Sequence, residues 1–159
     1  MMEMGLLVGL CAMIFYTPYM LCKGVYYLAY EELTVRDKLK CAVPIYNMFT
    51  AETTYTGGLP FAGISTVLFL LFFALRVVEA FAGVPTTVAN VTIILLVIAM
   101  LAMYASNFVL VFRILKDADV TGTGMSLVFA FIYPIGQYYI GALLPRVLKN
   151  SLKEEKTFL

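Results

Sequence analysis

Arg76 and Glu79 are the residues whose type and setting call most directly for chemistry, because both lie inside the apolar stretch that follows Leu59. Three residues apart, they share one helical face and can form an ion pair. Ionisable groups at membrane depth either line a solute path or form a structural pair that fixes packing near the interface. Arg76 lies about 10 Å before the break at Gly83, and helical side chains lean toward the N-terminus, away from that nearer surface. Pairing is therefore favoured over snorkelling. Gln137 is the second candidate, on a stripe with Ser126, Ala130, Tyr133 and Gly141 in a later apolar run. Pro134 frees the carbonyl of Ala130, which Gln137 or a water can satisfy. If the helices carrying Arg76 and Gln137 run the same way, the two come within about a turn in depth. An intramembrane polar cluster of Arg76, Glu79, Tyr133 and Gln137 is the expectation.

Other chemistry is scarce. The chain has no His, so the commonest metal ligand and the commonest general base are missing. Cys11, Cys22 and Cys41 have neither CxxC spacing nor companion ligands, and read as inert apolar thiols. Asp117-Ala118-Asp119-Val120-Thr121-Gly122 imitates the opening of a calcium loop, but its twelfth position is Val128 rather than Glu. Asp119, Thr121 and Thr123 instead suit the start of the next helix. Asn90-Val91-Thr92 matches a glycosylation acceptor yet opens an apolar helix. With no nucleophile beside a base, the expectation is a protein without enzymatic activity, cofactor or metal.

The elements that must position these groups belong to a membrane protein. Of 159 residues, 62% are hydrophobic, far above the soluble norm. A net charge of +1 from 11 basic and 10 acidic residues excludes an electrostatic nucleic-acid binder. A helix needs about 20 apolar residues to cross about 30 Å of hydrocarbon, and four stretches qualify, near 4–22, 60–81, 88–112 and 125–144. The N-terminal stretch has Glu3 where a signal peptide needs positive charge, so it is expected to stay as a helix. The expected fold is one all-α polytopic domain of four transmembrane helices, with an interfacial first loop over 23–58 and an amphipathic tail over 145–159. Packing faces are expected at Gly5 and Gly9, a GxxxG match, and along Ala99, Ala102, Ser106 and Asn107 in the third span.

The first loop interleaves charges with aromatics. Thr34 to Asp37 resembles a capping box opening a short helix that Pro44 stops, and Arg36, Lys38, Lys40 and Tyr46 are its candidate contacts for a partner. The hexad Ala42-Val43-Pro44-Ile45-Tyr46-Asn47 resembles a P-x-Y-N segment of uncharacterised small bacterial multi-span membrane proteins. That resemblance implies a bacterial inner or plasma membrane and no particular activity.

Lys23, Arg36, Lys38, Lys40, Arg113 and Lys116 fall in the loops on one side of the hairpin, whereas the turn at Gly83 is uncharged, which makes those loops cytoplasmic. Four full crossings leave Arg146, Lys149, Lys153 and Lys156 outside. A re-entrant segment around Pro134 to Gln137 would return them to the cytoplasm; four crossings are the preferred reading because early loops dominate orientation. The function expected is a non-enzymatic membrane subunit or scaffold whose partners are lipids and other subunits or copies of itself. An oligomeric pore or small-solute transporter is the alternative.

Overall fold

The structure, a computed structural model, describes residues 2–30, 32–83, 85–119 and 121–149, with side chains except at 2–14 and 86. Among these it is all-helical: α1 (Met2–Tyr30), α2 (Val35–Ala42), α3 (Tyr46–Thr56), α4 (Phe61–Ala82), α5 (Thr86–Asp117), α6 (Thr123–Phe131) and α7 (Tyr133–Ala142). The hairpin of α4 and α5 turns at Gly83, whose φ of 63° is left-handed, a conformation that costs glycine least. Helix α1 packs on α3 and α7, and α5 joins the hairpin to α6 and α7.

Two helices, α4 and Thr87–Asp117, are long and apolar enough to cross a membrane, with mean hydropathies of 2.3 and 2.4. Only 17% of the most apolar 18-residue stretch of each is buried within the chain, so most of the apolar surface there must be covered by something else, which for such helices is lipid or a partner. The predicted first span lies within α1, largely on residues whose side chains are outside the described set. Among the described residues two helices therefore qualify as spans, or three if the broken pair below counts as one.

The predicted fourth span is broken. Its halves, Thr123–Phe131 and Tyr133–Lys149, meet at a bend of 118°, with Ile132 outside helical geometry at φ −103°, ψ 63°. Proline explains the position, since Pro134 cannot donate into the preceding turn and serves instead in the first turn of α7. The expectation that Asp119, Thr121 and Thr123 would open this helix also needs correction. The N-cap is Gly122 with no side-chain cap, and Thr121 instead bonds the Ser126 hydroxyl at 2.8 Å.

The first loop is more ordered than its composition suggests. Helix α2 carries the capping box at Thr34 and Asp37, whereas α3 was not legible. Its Thr50, Thr53 and Thr56 hydroxyls turn back onto carbonyls four residues earlier, which makes a hydroxyl-rich segment compatible with a helix. One face, Asn47, Met48, Thr50, Ala51 and Glu52, is buried.

The core lies where α1, α3, α5 and α7 meet, around Leu21, Val25, Met48, Val111, Ile114, Leu115 and Ile140. Cys22 and Cys41 are buried there as free thiols. The α1–α7 contact is so close that a Cβ on Gly24 would lie 2.5 Å from the Ile140 carbonyl oxygen, and one on Gly141 would strike the Met20 backbone. Small residues permit this backbone approach.

Candidate functional site: two polar knots in an apolar bundle

The first knot sits at the Gly83 end of the hairpin. Arg76 Nη1 donates to Glu79 Oε2 at 2.6 Å, and Thr92 Oγ1 donates to Glu79 Oε1 at 2.6 Å. Glu79 is 7% exposed and Thr92 4%. A buried carboxylate is tolerated only with a cation and hydrogen bonds, and Glu79 has both. Spacing on one helix brings Arg76 to Glu79, whereas Thr92 arrives from α5 because the tight turn folds the two helices together. Thr92 belongs to the glycosylation match, and here its hydroxyl is committed inside the hairpin.

The opposite end of the hairpin is pinned by Ser65 and Ser106, whose hydroxyls lie 2.8 Å apart. Beside them, Glu52 of α3 reaches forward to the first turn of α4. Its Oε1 accepts from the Ala62 N–H and its Oε2 from the Gly63 N–H, both at 3.0 Å. Pro60 provides no side-chain cap, so this carboxylate satisfies amides that the helix start leaves unpaired and favours electrostatically.

The second knot lies at the break between α6 and α7. Gln137 Nε2 donates to Asn107 Oδ1 at 2.8 Å, and Asn107 Nδ2 donates to the Met103 carbonyl at 2.8 Å. Both side chains are 1% exposed. Tyr104 donates its hydroxyl to the carbonyl of Phe131 at 2.6 Å, satisfying a backbone acceptor where the helix stops, and its ring meets Tyr133 edge-on at 5.9 Å. A small cavity of about 60 Å³ adjoins this knot, with Pro18, Thr66, Tyr133 and Gln137 in its wall.

The predicted single cluster is thus two. Tyr133 and Gln137 come together, and Arg76 pairs with Glu79, but among the described residues no hydrogen bond, ion pair or ring contact joins the two pairs. Gln137 shares its cavity with Thr66, which is about 15 Å along α4 from Arg76. Equal depth assumed a straight fourth helix, and the 118° bend removes that premise.

The predicted packing positions divide as well. Ala99 and Asn107 are buried and Ser106 meets Ser65, whereas Ala102 is exposed and lines an open groove. The surroundings of Gly5 and Gly9 lie outside the described residues. Of the predicted docking residues, Arg36, Lys38 and Tyr46 are exposed, while Lys40 lies 3.8 Å from Asp37 and over the Tyr26 ring. Sequence reasoning missed Glu52, Thr92 and Tyr104. Only Glu52 carried a signal, as the lone acid in an otherwise uncharged stretch before Pro60.

On the side of the basic loops, the Tyr55 hydroxyl hydrogen-bonds Asp117, tying the end of α3 to the end of α5. Burial, then the hydrogen bond to Asp117, raises the Tyr55 hydroxyl above the usual tyrosine range, so Tyr55 stays protonated and donates. Among the described residues no three His, Cys, Asp or Glu side chains converge as metal ligands. Both carboxylate oxygens of Glu79 are bonded, whereas Gln137 Oε1 is buried without a hydrogen-bond partner among the described residues; each knot nonetheless ties separate helices together. No family model, curated protein or solved structure matches the chain.

Proposed function

We propose that this chain is a non-enzymatic integral membrane subunit or scaffold whose α4–α5 hairpin presents an apolar outer face to lipid and to other subunits or further copies of itself. The observation that carries this reading is the hairpin's construction. Polar side chains are paired within the hairpin at both ends, Glu79 with Arg76 and Thr92 and Ser65 with Ser106, while only 17% of the most apolar 18-residue stretch of each helix is buried. Mild detergent extraction followed by native mass analysis tests it: the expected result is an oligomer or a complex of defined stoichiometry, and a lone monomer would sink the reading.

The proposed arrangement has α1, α4 and α5 crossing a bacterial inner or plasma membrane and α6–α7 re-entering. Helix α6 is about 13 Å long, too short to cross. After a bend of 118°, the stretch Tyr133–Lys149, about 25 Å long, comes back by nearly the length of α6. Arg146 and Lys149 then join Arg113 and Lys116 on one side, which removes the conflict with the positive-inside rule that four crossings create. Single-cysteine variants Lys38→Cys and Lys149→Cys should label from the same side of sealed vesicles; opposite labelling would restore the fourth crossing.

A pore or transporter role is the second reading, favoured by the Gln137 cavity at a broken helix, because interrupted helices commonly build solute sites. Solute flux in reconstituted vesicles that disappears in Gln137→Leu would promote it above the first.

A further inference from the structure

A groove of about 640 Å³ lies between α4 and α5 on the side of the basic loops. Its walls are apolar, with Leu59, Ile64 and Leu68 on one side and Ala102 and Val109 on the other. From Ala102 to Arg113 it follows α5 for about 16 Å, close to half of a hydrocarbon core about 30 Å thick. The groove therefore has the depth of one leaflet.

Arg113 stands at its outer end, exposed and in no ion pair among the described residues. Two carboxylates of the same region, Asp117 and Glu52, have partners of their own. Asp117 accepts from Tyr55, and Glu52, which also lines the groove, is held by the Ala62 and Gly63 amides at the positive end of α4. An apolar slot one leaflet deep with an uncommitted guanidinium at its mouth is complementary to an amphiphile with an anionic head.

We propose that this groove holds one acyl chain of an anionic phospholipid from the leaflet on the Arg113 side, with its phosphate paired to Arg113. A guanidinium suits phosphate because its fork of donors matches two oxygens, and the apolar walls take the chain. The inference rests on the membrane reading above, and the two can fail separately.

The test uses the full chain. An alkaline carbonate wash comes first: release from the membrane pellet would remove the membrane reading and this site with it. For protein that stays in the membrane, native mass spectrometry in mild detergent follows, with phosphatidylglycerol and phosphatidylcholine titrated in turn. The expected result is one retained phosphatidylglycerol, preferred over phosphatidylcholine, with the preference falling about fivefold in Arg113→Gln, the effect of one basic residue at an anionic surface. Ala105→Phe, which narrows the groove from an exposed position, should lower retention of either lipid while leaving the far-UV circular dichroism unchanged. Equal retention of both lipids by wild type, or retention untouched by Arg113→Gln and Ala105→Phe, would overturn the proposal. So would a lipid-free dimer whose interface is broken by Ala105→Phe, since a second copy would then occupy the groove.

Discussion

Truncating Glu52 to Ala removes both acceptors at the start of α4 and leaves the Ala62 and Gly63 amides facing a buried site without a partner. Glu52 is 5% exposed, and Ala62 is fully buried, so water cannot easily replace the carboxylate. A hydrogen bond to a charged group contributes about 1.5–3 kcal/mol; because the two bonds share one carboxylate and the site can relax, about 3 kcal/mol is expected for the pair. At about 2–4 °C per kcal/mol for a chain of this size, Glu52→Ala should melt about 6–12 °C below wild type in the same detergent. Glu52→Gln keeps one oxygen acceptor but turns an amide donor toward the second N–H, so it should fall between the two. The chain has no Trp, which makes far-UV circular dichroism the natural readout, with the exposed Glu32→Gln as a control expected within about 0.5 kcal/mol of wild type. If Glu52→Ala melts within a degree of wild type, the carboxylate does not hold the start of α4.

Ile45 is a β-branched residue at φ 66°, ψ −51°, the centre of a strained γ-turn closed by the Tyr46 N–H on the Pro44 carbonyl at 2.7 Å. Ile45→Gly should therefore stabilise by about 1 kcal/mol, and a lower melting temperature would show that the exposed Ile45 side chain matters more than the strain. Gln137→Leu should destabilise by stranding Asn107 Oδ1, at about 1–3 kcal/mol. Adding Asn107→Leu should restore part of that loss, and strict additivity in the double-mutant cycle would mean that the pair is not coupled. The Thr34 hydroxyl, followed by its backbone N–H and the nearby Lys40 and Arg36, holds the Asp37 carboxyl below the usual range. A depressed folded value means that the contribution to stability is present above the unfolded value, about 3.9, and is lost as pH falls through the lower folded one. Amide exchange in α2, corrected for its intrinsic pH dependence, should therefore lose protection only below about pH 4, and protection lost nearer pH 6 would refute the capping role.

What was legible in the sequence was whatever depends on neighbours a few residues apart. The hairpin, its glycine turn, the capping box of α2 and the Arg76–Glu79 pairing all follow from short spacing. Partnerships formed across helices were not legible. Thr92 meets Glu79, Asn107 meets Gln137 and Gly141 meets Met20 only once the chain has folded back, and periodicity says which face is small or polar but not what lies opposite. The break at Ile132 was hidden for a related reason. Proline alone does not decide whether an apolar helix kinks or reverses, because neighbours such as Tyr104 can satisfy the freed backbone groups. Helix α3 was obscured by its hydroxyls, which satisfy themselves on their own helix and so look, in sequence, like the polarity of a loop.

The hairpin's self-contained polarity bears on how the protein is made. A nascent segment leaving the insertion machinery for lipid meets a penalty of about 2.5–3.5 kcal/mol for a charged residue at the helix centre. In α4 the guanidinium and the carboxylate arrive together, three residues apart, and the hydroxyl of Thr92 follows as soon as the turn at Gly83 is complete. Apart from the Glu52 carboxylate at the start of α4, the partners for the polar side chains Arg76, Glu79, Ser65 and Ser106 are encoded between Phe61 and Asp117, ahead of the broken pair α6–α7. On the membrane arrangement proposed above, the hairpin would then enter lipid as one unit, with α6–α7 packing against it afterwards.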